Sequence, residues 1–245
     1  MSSRRGAFPW DEGELQRRVR YAVADYWAAR DGQATRQRES GVADAGKRGE
    51  VTGGQHLDGF CSLFCDLVRS AGYLDAEIRY RTGVNLPGYF RPSKKWDIVV
   101  IRGNRLCAAI ELKSQVGSFG NNYNNRTEEA VGSSVDFWTA YREGRMGAHQ
   151  PWLGYFFFLQ DSPGSRTPIR LGPLDFPAED VWHGLSYAER YAVLGRRLLL
   201  ERHYSAVSLL LSPRGDSATY TEPSADLGMA HFLKSLYGHL LACAA

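Results

Sequence analysis

The run Trp152-Leu-Gly-Tyr-Phe-Phe-Phe-Leu159 constrains the fold more than any other segment of this chain. It is apolar throughout, with no polar residue alternating onto one side, as a strand buried on both faces should be. Such a strand needs neighbours on each side and helices above and below, so it predicts an α/β architecture with a covered central sheet. The flanks supply the helices. Leu15, Val19, Ala22, Val23, Tyr26 and Trp27 fall on one helical face, predicting a helix over 11–30. Phe60, Leu63, Phe64, Leu67 and Val68 predict a second from His56 to Ala71, stopped by Gly72. A third is expected over Thr127–Gly144, with Ala130, Val131, Val135, Trp138 and Tyr141 inward.

Strands are expected at Ala76–Arg81, Trp96–Ile101 and Leu106–Leu112, the last two joined by turn chemistry at Gly103-Asn104. Beyond the apolar run, the pattern predicts a helix at Ser186–His203, a strand at Ala206–Leu211 and a final helix at Leu227–Ala242. The core order is therefore α-β-β-β-α-β. We read the chain as one domain over 1–245: an N-terminal helix at 11–30, a mobile polar loop at 31–55, a core at 56–160 and a C-terminal α/β extension at 161–245.

The 245 residues suffice for a proper core, and 43% apolar with 23% charged residues is ordinary for a globular protein. A net charge of +3 permits a nucleic-acid partner without requiring one. Cys61, Cys65, Cys107 and Cys243 have no metal-ligand spacing, and the six histidines form no metal or HNH-like pattern. Free thiols, and the lack of an apolar leader or of a run long enough to span a membrane, point to a cytoplasmic protein.

Charge inside strands is the chemically informative feature. Asp97 opens one strand, while Glu111 and Lys113 close the next on a shared face. A two-residue turn at Gly103-Asn104 would set Asp97 opposite Ile110; a three-residue turn that includes Arg105 would set it opposite Glu111. Directly opposed residues have Cβ atoms roughly 4.5–5.5 Å apart, and carboxylates that close repel unless a cation lies between them. The three-residue register would thus build a hard-metal site suited to Mg²⁺, with Lys113 beside it. Directly after Lys113 comes a Gly-bearing stretch with Asn121, Asn122, Asn124, Asn125 and Arg126, read as a loop rich in groups that contact bases and phosphates. Arg91 and Lys94, in the segment before Asp97, are further candidates for DNA contact.

The segments LPGYFRPSKKWDIVV, AAIELKS and FGNNYNNRTEEAVG, with HLDGF at His56–Phe60, resemble the XhoI family of type II restriction endonucleases. The likeness covers most of the chain from His56 to Leu159. It implies the restriction-endonuclease-like PD-(D/E)xK fold, a Mg²⁺-dependent homodimer and cleavage of double-stranded DNA at the palindrome CTCGAG. By the same likeness Asp97 and Glu111 are metal ligands, the Leu112 carbonyl another, and Asp58 an additional acid on the first core helix. The sequence departs from the fold's pattern at the proline before the aspartate: Pro92 lies five residues upstream, and Trp96 stands in its place. Two other readings keep these residues, a structure-specific repair or junction nuclease and a DNA-binding protein without activity. The intact Asp97, Glu111 and Lys113 disfavour the second, and the asparagines disfavour the first.

Overall fold

The computed structural model of the chain describes residues 7–40, 55–215 and 218–244. Among the described residues seven strands form: β1 (Ile78–Tyr80), β2 (Asn85–Pro87), β3 (Ser93–Lys95), β4 (Ile98–Arg102), β5 (Arg105–Gln115), β6 (Trp152–Gln160) and β7 (Ala206–Ser212). The helices are α1 (Glu12–Ser40), α2 (Asp58–Ser70), α3 (Phe119–Arg142), the single turn α4 (Pro163–Arg166), α5 (Tyr187–Leu200) and α6 (Met229–Ala244).

The apolar run becomes β6, as its composition demands. It lies between β5 and β7, parallel to both, in a five-stranded sheet ordered β1-β4-β5-β6-β7. The strands β1, β4 and β5 pair antiparallel, so the sheet is mixed. Even-numbered β6 residues, Phe156 and Phe158, pack with α1, α2 and α6 on one face. The odd-numbered Tyr155 and Phe157 pack with α3 and α5 on the other. The expected core order α-β-β-β-α-β is read directly from α2, β1, β4, β5, α3 and β6. A separate antiparallel hairpin, β2 with β3, stands beside the sheet and is tied to it where the Trp96 amide donates to the Val84 carbonyl at 3.0 Å.

Three expectations need correction. Residues 31–40, expected in a polar loop, continue α1, while 41–54 lie outside the described residues. A helix already nucleated on its apolar first half can be propagated through a polar stretch, which a search for apolar periodicity passes over. The asparagine block, expected as a loop, forms the first two turns of α3. Phe119 and Ala130 are buried and Tyr123 packs 5.1 Å from Tyr191, so tertiary packing overrides the weak helix propensity of asparagine. The inner face of α3 is also rotated from the expected one: Phe137 and Ala140 are buried together with Ser134 and Asp136, whereas Val135 is exposed. Polar residues with specific partners on that face mask its pattern.

Candidate active site

The turn between β4 and β5 has the two-residue form, with Arg102 opposite Arg105 and Gly103 at φ +58°. The three-residue turn expected from the chemistry is therefore absent, yet its consequence is present. Between Val100 and Ile101 the register shifts: Ile101 pairs with Leu106 but Val100 with Ala108, so Cys107 is the extra residue of a β-bulge. From there the pairing runs Val99 with Ala109 and Ile98 with Ile110, which brings Asp97 level with Glu111. A bulge in the strand, not a longer turn, sets the opposition of the two carboxylates.

The strand β5 outruns β4. Past Ile110, whose carbonyl accepts from the Asp97 amide at 3.2 Å, no β4 residue remains to pair with it. The Leu112 amide instead donates to Asp97 Oδ2 at 2.7 Å. Because the N–H and C=O of one strand residue point to the same side, the Leu112 carbonyl faces the same edge as the Asp97 carboxylate. Asp97, Glu111 and the Leu112 carbonyl offer oxygen donors without sulfur or nitrogen, a donor set that fits Mg²⁺.

Glu111 is only 4% exposed, so its charge requires compensation. It receives two ammonium groups: Lys113 Nζ on Oε1 at 2.6 Å and Lys94 Nζ on Oε2 at 2.7 Å. Burial alone would raise its pKa, but Lys113 and Lys94 together hold the carboxyl below the usual range. Burial would likewise lower the Lys113 pKa, and Glu111 with Asp97 holds it up. Asp97 has weaker compensation. Burial first and the Glu111 charge second push its carboxyl up to about 6. A cation between the two carboxylates would relieve that repulsion.

Lys94 was expected at the DNA-contacting surface. In the structure the hairpin aims it at Glu111, with its side chain 11% exposed and Nζ 4.3 Å from the centre of the Trp96 ring. Trp96, which replaces the fold's proline, is the platform; it is buried and meets Phe137 edge-on at 5.3 Å. The sequence signal available for Lys94 was slight, a Lys-Lys pair directly ahead of Trp-Asp.

The Asp58 carboxylate accepts hydrogen bonds from the Tyr80 hydroxyl and Arg81, and Tyr80 pairs with Ile98, the neighbour of Asp97; among the described residues no three His, Cys, Asp or Glu side chains cluster as a metal site. Arg91 is half-exposed and fastened to Asp136, its Nε 2.7 Å from Oδ2. Asp136 also accepts from the Tyr89 and Phe90 amides at 2.8 Å each, which fixes the turn between β2 and β3. Of the α3 residues, Asn121, Asn124 and Asn125 form an exposed stripe. Asn122 is half-buried and donates to the Ser118 carbonyl at 3.0 Å. Arg126 turns inward, with Nη1 on Glu129 at 2.6 Å and a buried, unpartnered Nε.

This mixed sheet, with its charged edge and helices on both sides, has the restriction-endonuclease-like fold. Residues 36–222 match the family model described as Restriction endonuclease XhoI, and the chain belongs to that family. It is 42% identical over 211 residues to the type II restriction enzyme BstVI of Geobacillus stearothermophilus, covering 82% of this chain and 94% of that one. It is 41% identical over 207 residues to the type II restriction enzyme XhoI of Xanthomonas vasicola, covering 83% of each. With AbrI of Azospirillum brasilense, also named a type II restriction enzyme, it shares 46% identity over 155 residues, 62% of this chain and 69% of that one. No solved structure matches the chain. The protein is a type II restriction endonuclease, a hydrolase.

Proposed function

We propose that this chain, as one nuclease domain, is a Mg²⁺-dependent endonuclease that acts as a homodimer on double-stranded DNA at the palindrome CTCGAG. The observation that carries this reading is the register that sets the half-buried Asp97 level with the buried Glu111, with Lys113 bonded to the latter. Asp97, Glu111 and the Leu112 carbonyl would hold the ion. When bound, Mg²⁺ lowers the pKa of a water and stabilises charge gathering on the scissile phosphate. Lys113 orients the attacking water or neutralises the phosphate, held in place by Glu111. The exposed Asn121, Asn124 and Asn125 stripe lies on the helix that leaves the site, where it would meet base edges and phosphates. Asn122 and Arg126 border that stripe, and Arg91 would complete the DNA-contacting set from the turn between β2 and β3, with the guanidinium edge that Asp136 leaves open. The palindrome is what the resemblance to the XhoI family implies, and two-fold symmetry of the target calls for two copies of the chain. A cytoplasmic location belongs to the same reading and is supported by cysteines that are all free.

A plasmid digest tests it. With Mg²⁺ the wild type gives fragments that end at CTCGAG, and chelation stops cutting. Glu111→Ala lowers the cleavage rate on the order of 10³-fold or more, while a gel shift still detects the DNA complex. Sedimentation with a duplex holding one site should give the mass of two chains. Fragments unrelated to CTCGAG, or a single chain per duplex, would sink the site or the assembly respectively.

A further inference from the structure

Glu111 has two carboxylate oxygens, and each already holds an ammonium. A divalent cation ligated by Glu111 would share at least one of these oxygens with an ammonium, and like charges that close repel, which favours release of the more loosely anchored lysine. The two lysines are not equivalent. Lys113 is two residues from Glu111 on the same strand, within the sheet itself. Lys94 arrives from outside the sheet, on a two-stranded hairpin of three residues per strand. Its ammonium has alternative partners within reach, the Lys95 carbonyl at 3.1 Å and the Trp96 ring at 4.3 Å.

Resting on the assignment of Asp97 and Glu111 as cation ligands, we infer that Lys94 is a further catalytic residue: it competes with the divalent cation for Glu111 Oε2 and, once displaced, places its ammonium on the scissile phosphate. The group thus has two tasks. Before the cation arrives it completes the neutralisation of the Asp97 and Glu111 carboxylates, a pair that one lysine would leave half-compensated. Afterwards it stays tethered beside the site, where a developing negative charge on the phosphate replaces Glu111 as its partner. Trp96 keeps the aliphatic stem in place during the exchange, because the indole is buried against Phe137.

The inference makes two opposite demands on one variant. Lys94→Met removes the competitor, so Mn²⁺ alone, a hard ion with a similar preference for oxygen, should bind about tenfold more tightly when free Mn²⁺ is counted by electron paramagnetic resonance without DNA. Cleavage of a CTCGAG plasmid should fall about 100-fold. Mn²⁺ affinity that is unchanged or weaker in the variant overturns the inference, since loss of mere structural support also weakens binding. A second measurement uses only the wild-type chain. Reductive methylation followed by mass spectrometry should label Lys94 several-fold faster with Mn²⁺ present, while Lys113 changes little; unaltered labelling of Lys94 equally overturns it. Should the wild type bind no Mn²⁺ at all, the metal-site reading fails, an outcome distinct from either of these.

Discussion

At position 136 one carboxylate accepts three hydrogen bonds from a single turn, two from the backbone amides of Tyr89 and Phe90 and one from Arg91. The side chain is 5% exposed, so its removal leaves those amides without a partner. Asp136→Ala should cost about 2–4 kcal/mol in denaturant unfolding; a loss under about 0.5 kcal/mol would show that the turn holds itself. Burial acts to raise the Asp136 pKa, but the Phe90 amide, Arg91 and the Tyr89 amide outweigh it and hold the carboxyl below 3.8. This contribution is therefore complete above the unfolded value and is lost as pH falls through the lower folded one. Asp136→Asn should flatten that acid limb. Asp97, Glu111 and Lys113 were legible in the sequence because charge within apolar strands demands a reason. Asp136 and Lys94 were not: their partners lie 45–47 and 17 residues away, and nothing local marks a lysine that faces a carboxylate.

Elements were legible wherever one face is apolar. The buried stripes of α1 and α2 and the strands β4 to β7 follow the sequence pattern, since burial itself makes that pattern. The register was harder. A bulge leaves no mark in composition, so the turn and the pairing of Asp97 could not both be read from spacing. The strand β6 has its own anomaly, Gly154 at its middle, although glycine weakens strands. The structure accounts for it: a methyl there would lie 2.3 Å from the Trp152 ring and 2.8 Å from that of Phe232. Both rings are buried and neither has room to retreat. Gly154→Ala should lower stability by about 1–3 kcal/mol through overpacking, seen as a drop in the urea midpoint at unchanged slope. An unchanged midpoint would mean that the rings can shift.

For the molecule as a whole, the order of elements was enough to predict the fold, because a strand buried on both faces admits few arrangements. The sequence could not show that the charged edge of that sheet is self-contained. Two carboxylates, Asp97 and Glu111, meet two ammoniums, Lys94 and Lys113, so the site brings its own counter-charges. Folding then has no need of the ion that cleavage needs, in contrast to small domains whose native state exists only with metal. The melting temperature in a chelator should equal that in buffer without added divalent salt, and saturating Mg²⁺ should raise it only by mass action. A fall of several degrees in the chelator would contradict this. The practical corollary concerns handling: the enzyme can be made, stored and refolded in a chelator, and on the proposed Mg²⁺ dependence it would stay inert toward DNA there until divalent salt is added.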